Sequence, residues 1–360
     1  MNKIIFGGAF DPIHLGHINM AKEASKVFNA EVIFVPAPIS IWKKESISAD
    51  LKVEMIKLSI EGHKAFNIDL FEINSGKKEN YSIDTVKYFK QKYPNDNLYY
   101  LIGSDQVNNF HKWKDALELS KLAQIIFFAR PNIVLDKNNI EKYNIKSIDS
   151  GISLDIESTK IRELKSIAVD EKVLRFIEDK KLYFVSKIAS MMSEKRLRHS
   201  ISVAKLAYQI ALKHNIEHPE KAYIAGILHD IGKEYKDYRP IMEKYYPEYL
   251  DLPNYAYHQF VGAYLAKEIF GVEDELILNS IKWHCTGCQE MSFLDKIIYA
   301  SDKIDPIRDY DSSPLIKAMM ENDIDEGFKI VLEANRIFLG EKNKDSDNRL
   351  TSKCYDKYLD

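Results

Sequence analysis

Cysteine is scarce in this chain: Cys285, Cys288 and Cys354 are the whole supply in 360 residues. Three thiols cannot build the disulfide framework on which small secreted domains depend, so a reducing compartment, the cytoplasm, is expected. His284, Cys285 and Cys288 spell H-C-x-x-C, the reverse of a haem-attachment order. With no second Cys pair, both thiols read as incidental to the histidine rather than as zinc ligands. No apolar run approaches the ~20 residues of a membrane span, and the opening MNKIIFGGAFDPIHLGH has no signal-peptide layout. Membrane residence is therefore not expected. An excess of one charge is also missing. A formal net charge of -3 and a pI near 6.4 exclude the broad basic field of a nucleic-acid binder, which leaves any phosphate ligand to a local site. Internal repeats, low-complexity tracts and a Gly/Ser-rich linker are absent as well, so two halves need not be loosely tethered.

What is present suits two ordinary domains. Apolar residues make up 45% and charged residues 29% of the chain, as in globular proteins generally. In the first half, the short apolar runs KIIF, EVIFVPA, FNIDLFEI, NLYYLIGS and QIIFFA are separated by amphipathic stretches near 17–28, 50–62, 83–92 and 114–122. That alternation predicts an α/β domain, a doubly wound parallel sheet with ligands at the carboxyl ends of its strands. A helical segment at 171–181 closes it. Beyond Leu182 the strand pattern gives way to apolar residues at three-to-four spacing over 191–214, 219–233, 255–270, 274–284, 293–304 and 315–338, which predicts an all-α domain. The expected layout is 1–186, 187–340 and a polar C-terminal tail, 341–360, with the seam near 184–188.

Directly after the first strand comes Gly7-Gly8-Ala9-Phe10-Asp11-Pro12-Ile13-His14-Leu15-Gly16-His17. Paired glycines let a phosphate approach the backbone, and a helix starting near Gly16 offers N–H groups and a positive dipole end. His14 and His17, three apart, would face one way in a helical turn and donate to phosphate oxygens. Downstream lie Tyr81-Ser82-Ile83-Asp84-Thr85, where Asp84 and Thr85 read as helix caps, then Gly103 and Asp105 in LIGSDQ, Trp113, and Ser158-Thr159-Lys160-Ile161-Arg162.

The first stretch resembles the H-x-G-H signature of the nucleotidylyltransferase superfamily (Rossmann-like fold). Its G-G-x-F-D-P-x-H-x-G-H form is similar to nicotinate-nucleotide adenylyltransferases over roughly residues 1–185. The resemblance implies that His14 and His17 polarise the ATP phosphates, with Gly7, Gly8, Phe10, Asp11 and Gly16 around them and Mg2+ shielding the charge. It places Lys43 or Lys44 on the phosphates, and Ser82, Asp84 and Thr85 at the nicotinate end. Gly103 and Asp105 fall beside the ribose or nicotinate nucleotide, Trp113 on the pyridine ring, and Ser158, Thr159 and Arg162 on ATP. AMP would pass from ATP to nicotinate mononucleotide, a step of NAD biosynthesis, by positioning and electrostatics without a covalent intermediate. Three departures leave the acceptor pocket less fixed than the ATP site: Ala9 replaces a hydroxyl residue, Glu157 replaces a serine, and I-S-I-W-K-K replaces P-P-H-K, with Trp42 a substitute stacking surface. Another acceptor, such as phosphopantetheine, stays open.

In the second half, His199, the adjacent pair His229-Asp230, His258, His284 and Asp302 all fall on expected helices among apolar neighbours. Ionisable groups buried in a helix bundle are costly unless paired or bound to a cation, and imidazoles with carboxylates make a ligand set. R-x-x-H at Arg196–His199, H-D-I-G-K at His229–Lys233, two later histidines and S-D-K-I-D-P resemble the HD superfamily of metal-dependent phosphohydrolases. Within it, residues 188–340 are similar to the small hydrolases that split diadenosine tetraphosphate (Ap4A) into two ADP. The resemblance implies a two-metal centre on the six residues, with iron first among the divalent candidates. Lys233 would stabilise charge on the substrate, and Arg308 and Asp305 would lie near its phosphate. A different nucleotide phosphohydrolase, or a non-catalytic nucleotide sensor, is the competing reading. The implied partners are small nucleotides, and a homo-oligomer is left open.

Overall fold

The computed structural model describes residues 1–38, 47–77, 79–129, 133–149, 156–307, 311–341 and 348–360. Trp42, Lys43, Lys44 and Arg308 lie outside the described residues. The chain separates into two units, Met1–Arg162 with Ser166–Lys180, and Lys181–Asp360 with Glu163–Lys165. The second unit therefore begins ahead of the expected seam. Phe184, Val185 and Ile188 are apolar and buried, and they sit in a helix of that unit rather than in a linker.

The first unit has strands β1 (Asn2–Gly8), β2 (Ala30–Pro36), β3 (Phe66–Ile68), β4 (Asn97–Ile102), β5 (Gln124–Phe128) and β6 (Lys146–Ile148). They pair in parallel in the order β3-β2-β1-β4-β5-β6. Helices α1 (Leu15–Phe28), α2 (Ala49–Ile60), α3 (Phe71–Asn74), α4 (Ser82–Lys92), α5 (Ser104–Val107), α6 (Ala116–Leu122), α7 (Lys137–Lys142), α8 (Ser158–Arg162) and α9 (Glu171–Asp179) complete it. Consecutive residues such as Ile4 and Ile5, or Ile125 and Ile126, are fully buried because a sheet covered on both faces wants continuous apolar strands. Chain order reverses between β1 and β4, which makes their carboxyl ends the switch point at which ligands bind in such sheets. Gly7-Gly8 and Gly103 emerge there. Two elements differ from expectation. FNIDLFEI is strand only to Ile68, because the Asp69 carboxylate accepts the Phe71 N–H at 2.9 Å and turns the chain into α3. The short edge strand β6, with two exposed residues of three, has too little apolar pattern to have been foreseen.

The second unit is helical throughout its described residues: α10 (Phe184–Ala189), α11 (Glu194–Lys213), α12 (Glu220–Leu228), α13 (Arg239–Tyr245), α14 (Tyr257–Phe270), α15 (Glu275–Trp283), α16 (Phe293–Lys303), α17 (Ser313–Glu321), α18 (Ile324–Glu341) and α19 (Arg349–Tyr358). The single helix expected over 315–338 is two, because Asp323 accepts the Glu326 N–H at 2.6 Å and starts a new one. The expected polar tail instead ends in α19. Asn348 caps it, Leu350 and Cys354 are buried, and Cys354 joins Cys288, Met291, Tyr299, Phe328 and Leu332 in an apolar cluster. Among the described residues no helix is long and apolar enough to cross a membrane.

Small residues set the helix spacing. A Cβ on Gly226 of α12 would lie 2.6 Å from the Ala204 Cα of α11, and one on Gly232 would lie 2.3 Å from the His258 carbonyl oxygen of α14. Both obstacles are backbone, which does not step aside. Gly232→Ala is thus expected to cost about 1–3 kcal/mol of stability by forcing α14 outward, measurable by urea unfolding. At the head of α16, Ser292 Oγ accepts from Asp295 N and the Asp295 carboxylate from Ser292 N at 2.7 Å. Burial pushes the Asp295 carboxyl from 3.8 up to about 6. The folded chain therefore holds this proton at a pH where the unfolded chain has lost it, so stability falls as pH rises from about 4 to about 6 and stays lowered above. Asp295→Asn should remove that dependence, a difference of roughly 2 kcal/mol between pH 4 and pH 7. Urea titrations of both proteins at the two pH values check it.

Candidate active sites

At the head of α1, His14 is the N-cap and His17 the third helical residue, and they cap each other. The His14 N–H donates to His17 Nδ1 at 3.3 Å, and the His17 N–H to His14 Nδ1 at 3.4 Å. A backbone N–H only donates, so each Nδ1 is the acceptor and each neutral ring carries its proton on Nε2. The rings stack at 3.6 Å. A Cβ on Gly16 would meet His14 Nδ1 at 3.0 Å, and one on Gly7 the Tyr100 hydroxyl at 2.7 Å, so both positions need glycine for space. The helix head is less open than the sequence suggested. Leu15 N–H is bonded to the Ala168 carbonyl at 2.9 Å, and His17 N–H is committed as above.

Several other expected site residues of this half have partners within the unit. Phe10 is 2% exposed, with its ring against Phe6, His17 and Phe34. The ring is part of the core, and a Cβ on Gly8 would strike it at 3.0 Å. Asp11 is buried, and its carbonyl accepts from Arg162 Nη1 at 2.5 Å, while Arg162 Nη2 donates to Thr159 Oγ1 at 2.8 Å and Ser158 Oγ to the Pro12 carbonyl at 2.9 Å. The Ser158–Arg162 turn thus braces the loop that follows β1. Tyr81, not Asp84 or Thr85, is the N-cap of α4. Asp84 pairs with Lys77 at 3.4 Å, and buried Thr85 donates to Glu72 at 2.6 Å. Ser82 accepts from the Tyr100 hydroxyl at 2.9 Å. Gly103 caps α5, Asp105 is exposed beyond it and accepts from Gln106 at 2.6 Å, and Trp113 is half-buried against Phe110 and Tyr100.

In the second unit the six expected ligands converge. His199 comes from α11, His229 ends α12 with Asp230 next, His258 opens α14, His284 ends α15, and Asp302 lies near the end of α16. Two sets, His199/His229/Asp302 and His229/Asp230/His284, each bring their ligand atoms within 4.8 Å of one another. His258 Nε2 is 3.0 Å from His284 Nε2 and 3.4 Å from the Asp230 carboxylate. Nδ1 of His229, His258 and His284 lies 2.7, 2.6 and 2.7 Å from the carbonyls of Gly226, Tyr255 and Ile281, three residues earlier in each case. A carbonyl only accepts, so Nδ1 holds the proton and Nε2 presents a lone pair. Burial, with His284 and Lys233 next, holds His258 well below its usual 6.5, and burial likewise lowers His284. Two neutral imidazoles 3.0 Å apart, lone pair to lone pair, repel unless a cation lies between them. The set fits a metal.

Around the six, Arg196, Lys303 and Gln259 were given no role by sequence reasoning. Arg196 is ion-paired to Asp230 and to Glu234 at 3.1 Å. Lys303 lies 2.9 Å from Asp302. Gln259, fully buried, accepts from the N–H groups of Cys285 and Thr286 at 3.2 and 3.3 Å, joining the start of α14 to the end of α15. Adjacency to a motif histidine was the only signal for Gln259. Lys233 is exposed, with its ammonium 3.2 Å from His258 Nε2.

Comparison with known proteins follows the same division. A Cytidylyltransferase-like family matches residues 5–164, and the HD domain matches residues 196–307. The Mycoplasma genitalium protein named "Probable nicotinate-nucleotide adenylyltransferase/Ap4A hydrolase" is 33% identical over 309 residues, 85% of this chain and 87% of its own. An Aquifex aeolicus "Probable nicotinate-nucleotide adenylyltransferase" is 44% identical over 136 residues, 37% of this chain and 79% of its own. The crystal structure of a Clostridium acetobutylicum protein, described as a predicted HD superfamily hydrolase involved in NAD metabolism, aligns with a TM-score of 0.43 and 32% identity, over 48% of this chain and 96% of that one. With both units matched in order within one relative, the chain belongs to the family of two-domain enzymes, a cytidylyltransferase-like unit followed by an HD unit, that is named nicotinate-nucleotide adenylyltransferase/Ap4A hydrolase.

Proposed function

We propose that the first unit transfers AMP from ATP to nicotinate mononucleotide, and that the second hydrolyses Ap4A to two ADP. The observation that carries the first half is the mutual capping of His14 and His17, which commits both Nδ1 atoms and makes Nε2–H the donor of each ring. Two such donors at the switch point of the sheet suit a triphosphate. A phosphate oxygen of the mononucleotide bonds to the α-phosphorus as the bond to the pyrophosphate oxygen breaks, and the two imidazoles hold the charge that develops. Mg2+, when bound, shields the triphosphate. Arg162 keeps the loop carrying Asp11 in place, Asp105 and Trp113 are assigned to the nicotinate nucleotide, and Lys43 and Lys44 to the phosphates. Removing one donor at a developing oxyanion costs about 100- to 1,000-fold in kcat. His17→Ala should lose that much in a pyrophosphate-release assay with ATP and nicotinate mononucleotide. Wild-type turnover by the variant, or preference for phosphopantetheine over nicotinate mononucleotide by the parent chain, would sink the reading.

For the second half, support comes from the converging Nε2 and carboxylate atoms. His199, His229, Asp230, His258, His284 and Asp302 would hold two divalent ions, with iron first among the candidates. Bound there, the ions supply Lewis acidity that activates water and neutralises departing phosphate. The protein's own part is to fix the ligands through Arg196, Gln259 and the helix-end carbonyls, and to offer the Lys233 ammonium to a phosphate. Water adds to one inner phosphorus, the central bridging P–O bond breaks, and two ADP leave. A His229→Ala/Asp230→Ala variant should lose Ap4A hydrolysis while keeping adenylyl transfer, and the parent chain stripped by a chelator should lose Ap4A hydrolysis. Unchanged hydrolysis in the variant removes the assignment.

A further inference from the structure

We propose that Asp305 is a positioning residue for the metal centre, holding His199 in the tautomer and orientation that a cation requires; this rests on the reading that the second unit binds metal. His199 differs from its three companions. Their Nδ1 atoms meet helix carbonyls, but His199, in the middle of α11, has its own turn's carbonyls engaged in the helix ladder. Its Nδ1 lies 2.6 Å from Asp305 Oδ2 instead, and its Nε2 lies 3.1 Å from Asp302 Oδ1. Asp305 is fully buried, which makes a carboxylate costly there unless its oxygens are engaged.

They are engaged, and with different tasks. Oδ1 accepts from Ser202 Oγ at 2.5 Å, one turn along α11 from His199, and from the Ile307 N–H at 3.3 Å. Oδ2 faces His199. One oxygen thus anchors the turn after α16 to α11, and the other orients the imidazole and raises its basicity at Nε2, as a carboxylate behind a metal-bound histidine does. Because Asp302 and Asp305 leave the same end of α16, that turn delivers a ligand and the support of a second ligand together. An amide cannot do both tasks. If its NH2 faces His199, Nδ1 becomes an acceptor and the proton moves to Nε2, where the metal should bind. If its oxygen faces His199, the NH2 confronts the Ile307 N–H.

The test is Asp305→Asn in the full chain, with Mn2+ as the probe. Equilibrium dialysis should give an affinity weaker by about 10- to 100-fold than the parent's, and nitrogen NMR of the metal-free chain should find the His199 proton shifted from Nδ1 in the variant only. A merely structural aspartate would lower the melting temperature without moving that tautomer. Parent-like Mn2+ affinity together with an unchanged His199 tautomer overturns the proposal and leaves the metal reading standing. A parent chain that binds no Mn2+ overturns both. Should the variant not fold, Ser202→Ala decides. With its Oδ1 anchor gone, Mn2+ binding should weaken in the same direction, and parent-like affinity there overturns the proposal.

Discussion

A histidine ring has two nitrogens, and what the protein does with one decides what the other can hold. In the first unit the Nδ1 atoms of His14 and His17 accept backbone N–H groups, so Nε2 carries hydrogen and suits an anion. In the second unit the Nδ1 atoms of His229, His258 and His284 face carbonyl oxygens, so Nε2 is bare and suits a cation. The same residue type is set to opposite tasks by the polarity of the backbone group it touches. For four of these rings position along a helix fixes that polarity, while His258, near the start of α14, takes its carbonyl from Tyr255 in the turn before that helix. N–H groups are exposed at the beginning of a helix, where His14 and His17 sit, and carbonyls at its end, where His229 and His284 sit.

Close backbone packing then gathers the oriented rings within each unit separately. Gly16 admits the His14 ring against the start of α1, and Gly232 lets the turn after Asp230 touch α14 at His258. Gly226 seats α12 on α11, which sets His229 beside His199 with ring centroids 5.2 Å apart. The glycines in both motifs therefore serve the protein's own packing first. At Gly7 a Cβ would meet the Tyr100 hydroxyl at 2.7 Å, so packing alone gives a reason for glycine there.

The fold classes, the sheet and the convergence of six ligands were legible because each leaves a periodic or ordered trace: continuous apolar strands, three-to-four spacing, and a His-Asp pair followed by later histidines. What was illegible depended on which group a side chain met. Nothing in the string GGAFDP says that Phe10 turns inward against Phe34. The place of Arg162 in S-T-x-I-R suggests a phosphate ligand but not its bond to the Asp11 carbonyl, a partner 151 residues away. The C-terminal segment read as a tail because its composition is polar. Leu350, Thr351 and Cys354 nonetheless cover the other helices, with Thr351 donating to the Thr286 carbonyl at 3.1 Å. A few buried side chains at one helical face suffice to dock a segment whose average hydropathy is low.

The second site is also asymmetric in cost. His229 is fully buried, and its Nε2 has no hydrogen-bond partner among the described residues, although carboxylate oxygens of Asp302 and Asp230 stand 3.6 and 3.9 Å away. An unsatisfied buried polar atom costs about 1–3 kcal/mol, and the neighbouring carboxylates add repulsion between like charges. The fold sustains this through groups that point away from the centre: helix-end carbonyls, Arg196 on Asp230, Lys303 on Asp302, and Asp305 behind His199. Each of these neutralises or orients one ligand from outside, and none of them reaches His229 Nε2. A cation at the centre would meet that lone pair and offset the charge of the Asp230 and Asp302 carboxylates beside it. The arrangement is therefore better explained by selection for binding than by stability of the helices alone.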